Sequence, residues 1–413
     1  MAKNHGKSTG RPMHVLRDTR TWLLASMYVI IFATSADFSS PPSGDALEYR
    51  QISSAAPELP TTSIGSAYAG RFAVHYAVGI LAKLPGVSLD TAYALAWAIT
   101  MAALFAVVLA LFRHLPVPEF ALCSALFVLN PYTLRPFVSQ TDSLQDLVFV
   151  AGLGICLLGL RRQAPVKVLG GLLIAALGRQ TAIGVTPVAA LWILVDPAWR
   201  KPERAHARPW TTAAATLALP FVIYGGIKVW TARFSVDYEP SLLRDSVLTR
   251  IGDLPAAAPE LAAHLARTAI PLTLPVAVLV PLVVIAGWRN LSVPCWMSLL
   301  MAGALAAQPA MIDPAWVGFQ SNEQRLGALA VLPLVYAISE VLGSLSDRPH
   351  RKLAVGFTVA VIAIASLHHE FTSFGPASLA QFLSVQLVAA VAVAGLITFD
   401  RRAVRKPTAA QEA

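Results

Sequence analysis

Long apolar runs divided by short, charged connections fill most of this chain, and nothing else about it narrows the possible folds so far. A helix crosses the roughly 30 Å hydrocarbon core of a bilayer with about 20 apolar residues, and about 17 to 25 are tolerated. Candidate runs fall at 21–36, 90–112, 117–131, 143–160, 166–178, 180–195, 210–230, 268–287, 293–309, 326–343, 352–367 and 379–397. The pair 166–178 and 180–195 is short and divided only by Arg179, which predicts a broken helix or two closely joined ones. Charged residues make up 13% of the sequence, against about 25% in soluble domains. The pattern predicts an all-α, polytopic transmembrane protein of about twelve spans and excludes a large soluble α/β enzyme.

The net charge of +9 is not a nucleic-acid signature, because the basic residues form short clusters between apolar runs rather than one continuous face. Arg161-Arg162, Arg200-Lys201 with Arg204 and Arg208, Arg348 with Arg351-Lys352, and Arg401-Arg402 have the distribution of cytoplasmic loops. Cys123, Cys156 and Cys295 lie inside apolar runs without metal-type spacing and are expected to be small core residues. The run Thr21–Ala36 follows five basic residues and lacks a convincing cleavage site, so a retained first span is expected.

Orientation turns on Tyr68–Leu84, which is apolar enough to span. If it did, every later basic loop would fall outside; if it lies in the interface, all of them fall inside with the basic N-terminus, as the positive-inside rule prefers. On the second arrangement 21 Lys and Arg lie inside and 11 outside, while 8 Asp and Glu lie inside and 15 outside. Tyr68–Leu84 is therefore expected to be an interfacial helix, with Arg71, His75 and Lys83 as its polar marks. The resulting layout is a cytoplasmic N-terminus at 1–20, a transmembrane domain at 21–397 with outer loops at 37–89 and 231–267, and a basic cytoplasmic tail at 398–413, in the plasma (inner) membrane. Elaboration of the outer face places binding or chemistry there.

The first outer loop contains Gly44-Asp45-Ala46-Leu47-Glu48-Tyr49-Arg50. On a helix its two carboxylates share a side; Asp45 suits either a general base toward a hydroxyl or a helix cap. Arg71 can meet a lipid phosphate or snorkel to the interface. Asn130-Pro131-Tyr132-Thr133-Leu134-Arg135-Pro136 reads as a fixed turn, and the following Asp142 and Asp146 read on their own as boundary charges. Arg179 has almost no loop to solvate it, and a charge at membrane depth points to function unless its turn reaches the surface. Arg325, in Asn322-Glu323-Gln324-Arg325, suits an anion, Glu323 or a carboxylate from another loop. His368-His369-Glu370 does not form a metal-ligand pattern, because adjacent histidines do not share a helix face. Gly-rich phosphate loops and nucleophile elbows are also missing from the sequence.

With Asp45 and Glu48 just after the first span, Tyr68–Leu84 behind them, and the segments Asn130-Pro131, Gly178-Arg179-Gln180 and Asn322-Glu323-Gln324-Arg325, the layout resembles the GT-C class of integral-membrane glycosyltransferases. The resemblance implies transfer of a sugar from a polyprenyl-phosphate donor to a glycan or lipid acceptor on the outer face, with membrane lipids as surroundings. It implies Asp45 as base with Glu48 as its partner or substitute, and Arg71, Arg179 and Arg325 as holders of the donor phosphate. Tyr49, Arg135, Asp142 and Glu323 complete the candidate substrate-binding set. No metal ligands are assigned; a divalent cation is neither required nor excluded. Larger members carry a soluble C-terminal domain that this chain lacks after Thr398. A transporter or flippase, and a polymerase or ligase of lipid-linked glycans, fit the same layout.

Overall fold

The architecture comes from a computed structural model, which describes residues 18–35, 45–130, 132–135, 137, 144–200, 209–233, 236–237, 254–310, 325–345 and 355–360. Helix α1 covers Thr19–Ser35. The first outer segment then supplies α2, Asp45–Ala55, a two-residue strand β1 at Ile64–Gly65, the single turn α3 at Ser66–Ala69, and α4 at Phe72–Leu81. The succeeding helices are α5 (Leu89–Phe112), α6 (Val117–Val128), α7 (Leu144–Arg161), α8 (Pro165–Gly178), α9 (Ala182–Val195) and α10 (Pro209–Thr231). After strand β2 at Val236–Asp237 come α11 (Leu254–Ala269), α12 (Thr273–Ala286), α13 (Val293–Ala310) and α14 (Val331–Ser344). The strands form a parallel bridge, Ile64 with Val236 and Gly65 with Asp237, that ties the first outer segment to the chain leaving α10. Otherwise the described protein is helical.

Ten of the twelve expected runs coincide with helices. Of the eleventh, residues 355–360 are helical; the rest of it, the twelfth at 379–397 and the tail lie outside the described residues. Among the described residues, five helices are long and apolar enough to cross a membrane: Leu89–Phe112, Leu144–Arg161, Pro209–Thr231, Leu261–Ala286 and Arg325–Ser344. The fourth is longer than the run expected at 268–287: α11 continues through a 3-10 turn at Ile270–Leu272 into α12, so the helical stretch takes up the end of the expected loop 231–267.

Helix α5 shows how an apolar sequence is sorted. Ser88 caps it by accepting from the Thr91 N–H at 3.2 Å, and Asp90 adds negative charge where the helix dipole favours it. Its 24 residues reach about 36 Å. Tyr93, Trp97, Met101, Leu104, Val108 and Leu111 are buried at helical spacing, whereas Leu95 and Ile99 face outward. With apolar residues on every side, α5 presents one stripe to the protein and the other to lipid. Helices α7 and α14 are instead enclosed on nearly all sides and form the centre.

Helix α4 has ten residues, about 15 Å, half of what a bilayer crossing needs. It lies against α2, where a Cβ at Gly79 would collide with the Ser53 carbonyl. The interfacial placement of Tyr68–Leu84 fits this length. Its polar marks divide, however: Lys83 is exposed, while His75 is fully buried and faces the protein, correcting its reading as a surface mark.

Basic side chains stand at both ends of the bundle. At one, Arg20 donates through Nε and Nη2 to the Leu115 carbonyl at 3.1 and 2.9 Å. Beside it Arg161 Nη1 donates to the Leu111 carbonyl at 2.9 Å, so two guanidiniums cover the carbonyls left open where α5 ends. Arg113, Arg162, Lys167 and Arg200 fall at that same end of their helices. The first turn of α7 lies at the other end, about 22 Å from Arg161 along the helix.

Candidate functional site

At that far end the carboxylate of Asp146 is completely enclosed, and it is paired twice. Its Oδ1 accepts from Arg179 Nε and its Oδ2 from Arg325 Nε, the latter at 2.6 Å. Side-chain exposure is 0% for Asp146, 4% for Arg179 and 16% for Arg325. One negative charge thus holds two positive ones in a low-dielectric setting, where charge-assisted bonds are strong and an unpaired ion is very costly.

Glycine sets this meeting up. Helices α7 and α8 form a hairpin whose backbones touch. A Cβ at Gly178 would lie 2.6 Å from the Gln145 carbonyl and 2.7 Å from the Phe149 nitrogen, and one at Gly171 would run into the Cys156 nitrogen. The end of α8 therefore sits directly on the start of α7. The chain then extends at Arg179, φ −150° and ψ 141°, and delivers its side chain to Asp146. The expected break at Arg179 is a closely joined pair: α8 packs on α7 and α10, whereas α9 packs on α10 and α13. Two bonds brace the turn, Tyr224 Oη to the Arg179 carbonyl at 2.6 Å and Gln308 Nε2 to the Thr181 carbonyl at 3.2 Å.

Asp45 opens α2 and stands on the other side of Arg325, its Oδ2 3.9 Å from Arg325 Nη1. Its Oδ1 accepts from the Tyr68 hydroxyl at 2.9 Å, and its side chain remains 39% exposed. Burial, then the charge of Asp45 and the hydrogen bond to it, push the Tyr68 phenol above its ordinary range, so Tyr68 stays a donor. One turn along α2, buried Tyr49 accepts through its hydroxyl from Arg71 Nη1 at 2.8 Å. Burial works against the Arg71 charge, but Tyr49, Asp45 and Tyr68 together outweigh it and raise its pKa. Arg71, Arg325, Tyr49 and Asp45 also all act electrostatically on Arg179. Asp45, Tyr49, Arg71, Arg179 and Arg325 accordingly belong to one cluster.

Of the remaining candidates, Glu48 and Arg135 lie among the described residues. Glu48 is half-buried, and its Oε2 has no hydrogen-bond partner among the described residues. Arg135 is buried in the turn after α6, and among the described residues neither Asp45 nor Asp146 pairs with it. Asp142 and Glu323 lie outside the described residues, as does His368-His369-Glu370. Asp146, expected from the sequence alone to be a boundary charge, is instead fully enclosed as the counter-ion of both guanidiniums. The available signal was a carboxylate opening an apolar run of helical length, with arginines opening or closing two others. Tyr68 and Tyr224 were missed as well, having no charge to single them out.

Among the described residues no three His, Cys, Asp or Glu gather as metal ligands. Both Asp146 oxygens already accept from guanidiniums, which leaves Asp45 and Glu48, among the described residues of the cluster and its helix, as the acidic groups open to a divalent cation.

No protein-family model matches the chain, and no curated protein does. Among solved structures it is similar to ArnT from Cupriavidus metallidurans bound to undecaprenyl phosphate, with a TM-score of 0.47 and 15% identity over 94% of this chain and 79% of that one. The apo state of the same protein gives a TM-score of 0.46 and 13% identity over 92% and 77%. Likeness at that level carries no function across to this chain.

Proposed function

We propose that this protein is a GT-C-like membrane glycosyltransferase that moves a sugar from a polyprenyl-phosphate donor to a glycan or lipid acceptor. The observation that carries the reading is an accessible carboxylate, Asp45, within 3.9 Å of a guanidinium whose own counter-ion, Asp146, is shared with Arg179. Arg71, Arg179 and Arg325 supply three positive charges around Asp45 and Asp146, so an anion entering beside Asp45 meets surplus positive charge.

In the proposed reaction an acceptor hydroxyl attacks the anomeric carbon and gives its proton to Asp45. The bond from that carbon to the phosphate oxygen breaks, and polyprenyl phosphate departs with one more negative charge than the diester carried. Arg325 and Arg179 stabilise that growing charge; because they are already positioned by Asp146, little reorganisation is needed at the moment of transfer. Tyr68 orients Asp45, and Tyr49 orients Arg71. Glu48 is the reserve carboxylate on the same helix, and Arg135, Asp142 and Glu323 are further candidate contacts for the substrates. The site is assigned to the outer face of the inner membrane, with both termini cytoplasmic, because the loop layout read from the sequence then puts most Lys and Arg inside.

The test is purified protein in lipid nanodiscs with labelled polyprenyl-phosphate sugars and candidate acceptors. Transfer is expected from the wild type and none from Asp45→Asn at equal expression and insertion. Full activity in that variant would remove the proposed base. A second reading, transport of a polyprenyl-linked substrate, draws on the two fourteen-residue helices that meet at Arg179. Movement of labelled lipid across a vesicle membrane without any transfer would favour it.

A further inference from the structure

Behind the cluster, His75 lies fully buried on α4 with its ring flat against Tyr49, 3.9 Å between centroids and 8° between planes. Tyr49 is the residue whose hydroxyl receives Arg71. Four polar contacts around His75 bear on which ring nitrogen carries the proton. The Ser53 hydroxyl lies 2.8 Å from the His75 carbonyl, 3.1 Å from the Tyr49 carbonyl and 2.8 Å from the Tyr93 hydroxyl, which in turn lies 3.0 Å from His75 Nδ1.

A carbonyl can only accept, and serine has one hydrogen, so Ser53 gives its hydrogen to the carbonyls. The short contact between Ser53 and Tyr93 then needs the hydrogen of Tyr93. With that hydrogen committed, Tyr93 faces His75 as an acceptor, and Nδ1 of His75 must carry the proton. Nε2 is left as a bare acceptor, and neither it nor the nearby side-chain amide of Gln145, the residue before Asp146, has a hydrogen-bond partner among the described residues.

We infer that His75 is a positioning residue, locked as its Nδ1–H tautomer, that plants the Tyr49 ring and through it the guanidinium of Arg71. The inference rests on the reading of Arg71 as a phosphate holder, and adds that its aim is set from behind. Three helices converge on His75: α2 through Tyr49 and Ser53, α5 through Tyr93, and α7 through Gln145. Arg50 fixes the α2–α5 side of this arrangement, bonding Asp90 at 2.7 Å and covering the Tyr93 ring at 5.4 Å.

Selective 15N-histidine labelling of the full chain in nanodiscs, with His75 assigned by its loss in His75→Asn, tests the tautomer without any substrate. A protonated Nδ1 and a bare Nε2 are expected; a protonated Nε2, or exchange between two forms, overturns the hydrogen count. Arginine side-chain spectra test the positioning. The Arg71 guanidinium should give a distinct, slowly exchanging N–H signal that both Tyr49→Phe and His75→Asn collapse, and an unchanged signal in His75→Asn refutes the link. Binding of undecaprenyl phosphate gives the functional arm. His75→Asn should weaken it about tenfold, Arg71→Gln at least as much, and the double variant no more than Arg71→Gln alone. Effects that multiply would mean His75 acts elsewhere. If His75→Asn does not fold, Tyr93→Phe, which keeps both rings, carries the same comparisons. If the wild type fails to bind undecaprenyl phosphate, the proposed function loses its donor site, while the two spectroscopic arms still decide the role of His75.

Discussion

Asp146 shows what a single buried charge can organise. It is neutralised by residues 33 and 179 positions away in sequence, and that separation is why it was illegible: its importance depends on which helices become neighbours. Arg71, Arg179 and Arg325 stand out in the sequence because each interrupts or borders an apolar stretch, where a charge is costly, and Asp45 through its place in the first outer loop. His75 was misjudged for a related reason, since a histidine on a short helix gives no sequence sign of which face turns inward. Asp146→Ala should leave two guanidiniums enclosed without their counter-ion and destabilise the protein by roughly 3–5 kcal/mol, read as a large drop in thermal unfolding temperature in detergent. Asp45→Ala, at a half-exposed position with a 3.9 Å ion pair, should leave that temperature nearly unchanged while abolishing transfer. Equal destabilisation by the two would contradict the division of labour between an enclosed clamp and an accessible base.

At the scale of elements, the positions of the helices were read well because apolar run length is a local property. Their ends were read less well where one helix feeds another, as α11 feeds α12 through Ile270–Leu272. Which helices pair, by contrast, was not visible. The α7–α8 hairpin depends on Gly152, Gly159, Gly171 and Gly178 each meeting backbone of the opposite helix, and small residues admit that approach in membranes generally. Gly178→Val should force the hairpin apart where it delivers Arg179, costing about 1–3 kcal/mol and lowering transfer in parallel. Gly170→Ala is the control: a Cβ there meets nothing within 4 Å, and the exchange should be neutral or gain up to about 1 kcal/mol in helix propensity. Thermal unfolding of the two variants side by side checks the comparison.

For the whole molecule, the sequence-derived orientation leads to a labelling pattern. Cys123, Cys156 and Cys295 are all buried, so introduced cysteines can be read against a low background. Arg162→Cys should react with a membrane-impermeant maleimide only from the cytoplasmic side, and Glu58→Cys only from the other; the reverse pattern would turn the assigned site to the wrong compartment. The shortness of α8 and α9 bears on how a substrate reaches that site. Each has fourteen residues, about 21 Å, beside a hydrocarbon core of about 30 Å, and Leu173, Ile183 and Leu191 on them face outward. Local thinning of the bilayer is one way in which a hydrophobic stretch of that length is accommodated. Thinning on the side of the turn that carries Arg179 would bring lipid headgroups down toward the guanidiniums without the protein opening a path for them.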